Sequence, residues 1–241
     1  MINLGALLKS LAALCFPPRC LCCDTPMANP ATLLFCTDCL AAIDFIKTPL
    51  CPCCGRAFPD AAGDNHLCGN CLTKPPHFNS ARAVAHYHQP LADAIHAFKY
   101  NGKTYGLASL AKLAEQIEPP VAQTDLIIPV PLHPKRLRER GFNQSLLMAR
   151  AFFPHAQHKI KPELLIRHKW TEPQTALSGI NRRRNLKGSF SVTNPTQLKN
   201  KSVLLIDDVF TTGSTANECA RILKKGGASK IHVLTLARVA E

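Results

Sequence analysis

Hydrophobic and polar positions along this chain follow two different periods, which predict strands and helices in turn. Residues 80–88 (SARAVAHYH) alternate with a period of two, and unbroken apolar runs at residues 125–130 and 203–206 indicate buried strands. Helical spacing predicts helices over residues 90–100, 103–118 and 216–225, and a further helix that begins near Phe142 or Asn143. At the N-terminus the leucines recur at helical spacing and predict an amphipathic helix (Leu4, Leu7, Leu8, Leu11 and Leu14). From about residue 78 onward we therefore expect an α/β fold, a mainly parallel twisted sheet flanked by helices.

The strand predicted at residues 203–206 leads into two adjacent acids, Asp207 and Asp208, and then into a hydroxyl- and glycine-rich turn at residues 211–215. This order suits a sugar phosphate. The amides and hydroxyls of the turn can hold a phosphate at the positive end of the helix dipole. The carboxylates lie at the carboxyl end of the strand, where ligands bind in such sheets. The alternative is an ordinary turn with a hydroxyl N-cap, but a cap does not require two acids before it.

The string VLLIDDVFTTGST resembles the phosphoribosyl-pyrophosphate (PRPP) motif of type I phosphoribosyltransferases. The resemblance implies that Asp207 and Asp208 contact the ribose 2′- and 3′-hydroxyls. It also implies that the turn holds the 5′-phosphate (Thr211, Thr212, Gly213, Ser214 and Thr215). A Walker A loop does not fit, because the GK[ST] ending is missing.

The net charge of +13 is concentrated in the second part of the chain. Residues 1–76 carry five basic and five acidic side chains, whereas residues 133–187 carry thirteen basic and three acidic ones. A basic middle segment points to an anionic partner, either a polyphosphate or a nucleic acid. The alternative is a solvated basic face without a partner.

Two basic elements are candidates for contact with such a ligand. Four basic side chains follow the strand at residues 125–130, and we interpret this segment as a loop that faces pyrophosphate. In it, Arg136, Arg140 and the backbone amides near Leu132 would stabilise the leaving group. The alternative is a basic helix start that faces solvent. Residues 171–190 form a second, loop-rich basic element, in which the family picture implies a mobile closing loop with contacts from Gln174, Arg183 and Asn185.

Eleven of the twelve cysteines precede residue 72, and eight of them form four C-x-x-C pairs. Two such pairs complete a tetrahedral S₄ shell, so we predict two closed Cys₄ sites that hold structural zinc. The predicted ligands are Cys20, Cys23, Cys36 and Cys39 in the first site, and Cys51, Cys54, Cys68 and Cys71 in the second. Sequential pairing is our interpretation, and a cross-braced pairing remains open. His66 could replace one thiolate of the second site.

The cysteine pairs, IHAFKYNG, VPLHPKRLRERGFNQS, the TxxQTxLS…RRRN stretch and DDVFTTGST together resemble the ComF family, which includes competence proteins required for DNA uptake. We expect a double zinc ribbon with the N-terminal helix over residues 1–77 and a phosphoribosyltransferase-like domain over residues 78–241. The chain departs from the usual pattern at Trp170, Glu172 and Phe210.

The resemblance implies two functions. The first is a PRPP-binding protein that supports DNA uptake and handles single-stranded DNA, with Mg²⁺ bound alongside PRPP. Its zinc ribbon would dock an uptake helicase or a membrane channel. The alternative is a metabolic phosphoribosyltransferase that transfers ribose 5-phosphate from PRPP to an unidentified acceptor. No apolar run reaches the length of a membrane span, and we expect a cytoplasmic protein that can lie at the inner face of the membrane.

Overall fold

The computed structural model describes residues 17–27, 33–59, 63–100, 104–115, 124–170 and 186–240. The predicted N-terminal helix and three predicted ligand contacts lie outside these ranges (Gln174, Arg183 and Asn185). The helices are α1 (Thr37–Ala41), α2 (Gly69–Thr73), α3 (Leu91–Tyr100), α4 (Leu107–Ala114), α5 (Pro134–Arg140), α6 (Gln144–Phe152) and α7 (Ser214–Lys225). The strands are β1 (Ser80–His86), β2 (Leu126–Pro129), β3 (Leu165–Arg167), β4 (Phe190–Val192), β5 (Ser202–Phe210) and β6 (Lys230–Arg238). Short 3₁₀ turns occupy Thr104–Gly106, Pro154–Lys159, Pro162–Leu164 and Pro195–Leu198. None of the helices in the described ranges is both long and apolar enough to cross a membrane.

Four parallel strands form the central sheet in the order β1-β6-β5-β2. Strand β5 lies inside this sheet, so its apolar run pairs on both sides and the residues from Val203 to Ile206 are fully buried. A buried parallel strand requires apolar side chains on both faces, which explains the unbroken VLLI pattern. The strands β3 and β4 form a separate two-stranded antiparallel sheet. The predicted parallel α/β fold is confirmed.

Helices cover both faces of the sheet. On one face Leu204 and Ile206 pack in a core that includes Ile95 of α3 and Met148 of α6. On the other face Val203 and Leu205 pack in a second core that includes side chains of α7 and of the β3–β4 sheet (Ala216, Cys219, Ala220, Leu223, Leu165 and Phe190). Successive side chains of a strand point to opposite faces, so the two cores alternate along β5.

Two elements differ from the sequence prediction. Strand β5 continues through both acids to Phe210, because its backbone stays paired with β6 as far as Arg238. The basic segment interpreted as a loop is in part the helix α5. Pro134 stands in its first turn, His133 Nδ1 accepts a hydrogen bond from the Lys135 amide at 3.2 Å, and Gly141 ends it at φ 81°. A proline start and a left-handed glycine end are sufficient local signals for a short helix.

The cysteine-rich segment packs against the α/β core at several points. The Ile46 amide donates to the Val84 carbonyl at 3.1 Å, and the Leu34 amide donates to Ser109 Oγ at 2.9 Å. Leu21 and Phe35 join the core on the α3 face of the sheet. The ribbon therefore shares apolar burial with the sheet.

Candidate functional site

The two adjacent acids occupy different environments at the end of β5. Asp208 is 6% exposed, and its Oδ1 lies 3.0 Å from Lys99 Nζ of α3. Asp207 is partly exposed, and its Oδ1 accepts hydrogen bonds from Ser145 Oγ at 3.1 Å and from the Asp208 amide at 2.9 Å. One oxygen of each acid is therefore already engaged by the protein.

The second oxygen of Asp208 is the unusual one. Asp208 Oδ2 is buried, and no group in the described part of the chain donates a hydrogen bond to it. A buried carboxylate oxygen without a partner is costly. It is an acceptor whose hydrogen bond the described part of the chain does not supply.

The environment of Asp207 favours its neutral form. Burial, and then the negative charge of Asp208, raise the pKa of Asp207 to about 7, although the Asp208 amide, Lys99 and Ser145 oppose this rise. A carboxyl with a pKa this far above its ordinary value is common at functional sites, because two close carboxylates do not ionise together easily. The pair therefore resists carrying two negative charges at once near neutral pH.

The acids line a cavity of about 310 Å³ together with residues from four other segments. Its predicted members are Leu132, Arg136, Arg140, Asp207, Asp208, Thr211 and Thr215. Its further members are Lys99, Tyr100, Val130, Pro131, His133, Gln144, Arg167, Trp170 and Val209. The structure thus brings the acid pair, the predicted pyrophosphate residues and part of the turn to one cavity.

The basic wall of this cavity is held in place by specific contacts. Arg140 Nη1 donates to Gln144 Oε1 at 2.7 Å, and its guanidinium lies 5.2 Å from the ring centre of Tyr100. Lys135 Nζ lies 4.6 Å from the ring centre of Trp170, which also borders the cavity. Because Asn143 caps α6 and donates to the Val130 carbonyl at 3.1 Å, the start of α6 is tied to the end of β2. Cation–π contacts and capping bonds orient the cationic groups before any ligand arrives.

The hydroxyl-rich turn presents unbonded amides. From Thr211 to Thr215, within the described structure, no main-chain amide donates to a main-chain carbonyl. Only the Ser214 amide has an acceptor, Thr212 Oγ1 at 3.4 Å. Gly213 stands at φ 68°, which favours glycine, directly before α7. Free amides at the start of a helix are the kind of donors to which anions bind in proteins, and the helix that begins here has twelve residues.

The five turn residues do not all face the same space. Thr211, Gly213, Ser214 and Thr215 line a small pocket that also contains Asp207 and so adjoins the larger cavity. Thr212 does not line that pocket; together with Gly213 and Ser214 it borders a second cleft of about 210 Å³, whose other walls include Lys74, Phe210 and Arg238. The Thr212 side chain therefore lines the ribbon side of the turn.

The eight predicted metal ligands form two clusters, one from Cys20, Cys23, Cys36 and Cys39, the other from Cys51, Cys54, Cys68 and Cys71. Within each cluster all sulfurs lie within 4.8 Å of one another. The pairing is sequential, and the cross-braced alternative is wrong. His66 stacks on Phe58 at 3.9 Å between ring centres and belongs to neither cluster.

The sulfur spacing fits a tetrahedral metal shell. Cys23 Sγ lies 3.7 Å from Cys36 Sγ, and Cys54 Sγ lies 3.7 Å from Cys68 Sγ. Zinc–sulfur bonds of about 2.3 Å in a regular tetrahedron place the sulfurs about 3.8 Å apart. Amides already donate to the sulfurs, as from Cys36 and Cys68 to Cys20 and Cys51. These clusters support structural zinc, and a full set of four thiolates leaves no open position for catalysis.

Two family models match parts of this chain. Residues 11–72 match the double zinc ribbon domain, and residues 161–241 match the phosphoribosyl transferase domain. The DNA utilization protein YhgH of Escherichia coli K12 is 34% identical over 229 residues, which cover 92% of this chain and 97% of that protein. Competence protein F of Haemophilus influenzae is 32% identical over 224 residues, or 84% of this chain and 96% of that protein. The chain belongs to the ComF family. Competence protein ComFC of Bacillus subtilis is a more distant relative, 26% identical over 243 residues that cover 91% of this chain and 94% of that protein.

In this ComF protein, sequence reasoning missed several residues that shape the cavity. Lys99 and Tyr100 lie in the stretch IHAFKYNG, which carried part of the family resemblance but was given no role. Gln144 and Ser145 end the stretch VPLHPKRLRERGFNQS, which also carried part of the resemblance without a role for either residue. Arg167 carries no sequence signal of its own, because it reaches the cavity only through the packing of β3. Burial lowers the pKa of Arg167, which lies close enough to the acids to attract Asp207.

Proposed function

We propose that this protein binds PRPP in the cavity between the acid pair and α5. The observation that carries the proposal is the coexistence of two unmet hydrogen-bonding needs. Among the residues that the structure describes, no group donates to Asp208 Oδ2, and the amides of residues 211–215 find no main-chain acceptor. A ribose with a 5′-phosphate supplies both, since its hydroxyls donate and its phosphate accepts.

In this proposal each part of PRPP contacts a different group of residues in the cavity. Asp207 and Asp208 receive the ribose 2′- and 3′-hydroxyls, and the turn receives the 5′-phosphate. The Arg136 and Arg140 side chains, with backbone near Leu132, bind the pyrophosphate, because guanidinium groups suit phosphate oxygens. Mg²⁺ takes carboxylate and phosphate oxygens, so Asp207 and Asp208 are fitting neighbours for an ion that arrives with PRPP and screens its pyrophosphate charge.

The biological role we propose is support of DNA uptake and of single-stranded DNA handling. Two relatives are named as a competence protein and a DNA utilization protein. Lys135 and Arg138 add to the positive charge of α5. In this proposal the protein works in the cytoplasm, and its zinc ribbon docks a helicase or a membrane channel. A transferase that passes ribose 5-phosphate to an acceptor is the second candidate, favoured by the arginines beside the proposed leaving group.

The test is calorimetric titration of PRPP and Mg²⁺ into the wild-type protein and into a variant with Asp207→Asn and Asp208→Asn. We expect the double change to abolish measurable binding and to leave two zinc ions per chain. The surface change Glu163→Gln serves as the control and should bind as the wild type does. If the wild type does not bind PRPP, the proposed function is wrong; if the double variant binds normally, the site is wrong.

A second arm adds a single-stranded oligonucleotide to the same titration. Competition between the two ligands would indicate a shared site, and independent binding would place the DNA elsewhere. Release of pyrophosphate from PRPP in the presence of nucleobases or amines would support the transferase.

A further inference from the structure

The second cysteine cluster packs directly on the sheet that carries the phosphate turn. The Ala81 amide of β1 donates to the Cys53 carbonyl at 2.7 Å, and Arg82 Nη1 donates to the Pro52 carbonyl at 3.0 Å. Gly55 stands at φ 73°, and a Cβ there would lie 2.3 Å from the Ala81 carbonyl oxygen. The knuckle of residues 51–55 therefore cannot move away from β1 without breaking these contacts.

Arg238, at the end of β6, joins this knuckle to β5. Its side chain is buried, with the residue only 3% exposed. Its Nη1 donates to the Cys54 carbonyl at 2.7 Å, and its Nη2 lies 4.0 Å from Cys54 Sγ. Its guanidinium carbon lies 4.7 Å from the ring centre of Phe210. One buried side chain thus touches a predicted metal ligand and the last residue of β5.

The buried charge of Arg238 has no carboxylate partner among the described residues. A buried guanidinium is unfavourable unless an opposite charge compensates it. Four thiolates around one Zn²⁺ carry a formal charge of −2, and Cys54 is one of those thiolates. With a metal ion bound, the second cluster would therefore supply the counter-charge that holds Arg238 in place.

The Phe210 ring, which contacts Arg238, also packs against the phosphate turn. A Cβ added at Gly213 would meet the Phe210 ring at 2.4 Å, so the turn backbone lies directly against the ring. Phe78 packs edge-on against the Phe210 ring, with 6.0 Å between ring centres. The ring is confined by Arg238, Phe78 and Gly213, and a shift of Arg238 must move either the ring or the turn.

We propose that Arg238 is a positioning residue that couples metal occupancy of the second cysteine cluster to anion binding at the phosphate turn. The proposal rests on the proposed function, because it assumes that the turn binds a 5′-phosphate. The first cluster has no comparable link among the described residues, since its contacts run to α4 and the core beside it. Loss of metal from the second cluster should weaken phosphate binding, and loss from the first should not.

The experiment measures ribose 5-phosphate affinity by calorimetry in Cys68→Ser and Cys36→Ser proteins, each losing one zinc ion. We expect the Kd to rise at least about fivefold in Cys68→Ser, a typical coupling between sites, and to stay unchanged in Cys36→Ser. Equal effects of the two changes would overturn the proposal. A wild type that binds PRPP but not ribose 5-phosphate would overturn this proposal, because the turn would then not hold the 5′-phosphate. A wild type that does not bind PRPP either would refute the proposed function.

Arg238→Gln tests the route of the coupling, and Arg82→Gln is its matched control, because Arg82 bonds the same knuckle and does not touch Phe210. In the zinc-loaded proteins we expect weaker ribose 5-phosphate binding only in Arg238→Gln. Coupling is reciprocal, so ribose 5-phosphate should raise the affinity of the second cluster for Co²⁺, followed by its thiolate absorption bands. That gain should persist in Arg82→Gln and vanish in Arg238→Gln; the same gain in both variants would show that Arg238 does not carry the coupling.

Discussion

The raised pKa of Asp207 predicts that the proposed PRPP binding depends on pH in a way that an ordinary carboxyl would not allow. With a pKa of about 7, Asp207 is ionised in roughly a tenth of the molecules at pH 6 and in roughly nine tenths at pH 8. Ribose hydroxyls donate to the ionised form, so we expect PRPP affinity to rise about tenfold between these pH values. A carboxyl at its ordinary value of 3.8 would stay ionised throughout and contribute no change.

The assay is calorimetric titration of PRPP with Mg²⁺ at several pH values in wild type and in Asp207→Asn. The phosphates of PRPP titrate in the same range, and the Asn variant reports that background because its side chain carries no proton to lose. The difference between the two pH profiles is therefore the contribution of Asp207. Parallel profiles would refute the reasoning that the carboxylate form binds the ribose.

The raised pKa of Asp207 also affects the free energy of unfolding, because only the folded protein raises it. The folded protein holds the Asp207 proton up to a pH of about 7, whereas the unfolded chain releases it near its ordinary value. The group therefore lowers the free energy of unfolding progressively as pH rises from about 4 to 7. Asp207→Asn should unfold at a higher temperature than wild type at pH 8, and this advantage should disappear at pH 4.

Three further predictions concern other parts of the molecule. Gly213→Ala should weaken ribose 5-phosphate binding at least about tenfold, because the new Cβ would meet the Phe210 ring. Gly141→Ala is the control, also at positive φ but with no atom within 4 Å of the new Cβ, and should only lower stability by about 1 kcal/mol. Equal binding by both variants would contradict the role of the Phe210 contact. Single-stranded DNA affinity should fall about 50-fold between about 50 and 200 mM salt if the four basic side chains of α5 contact phosphates, and fluorescence anisotropy showing constant affinity would argue against it. Treatment with a strong chelator should remove two zinc ions and reduce thermal stability sharply, because metal binding and folding of such ribbons are linked; unchanged melting of the stripped protein would show that the clusters are not structural.

The motif residues were predictable because their chemistry is local in sequence. The sequence shows a run of apolar residues (VLLI), then two acids, then a turn of small residues. This order predicts a buried strand, a ligand site at its carboxyl end and the start of a helix. The bounds of strand β5 and helix α7 agree with the predicted strand and helix to within a few positions. The four C-x-x-C pairs likewise specify two sulfur shells, since a knuckle presents both of its thiolates on one side of a turn. Parallel order followed from apolar runs that alternate with helical segments.

What the sequence left open depended on which segments meet in space. Three features depend on contacts between residues far apart in the chain. They are the sequential pairing of the cysteines, the ion pair of Asp208 with Lys99 and the hydrogen bond from Ser145 to Asp207. Only the tertiary structure decides them, because backbone packing sets the distances between such groups while local pattern sets only their type. The raised pKa of Asp207 arises in the same way, from burial and a neighbouring charge that exist only once α3, α6 and β5 have come together.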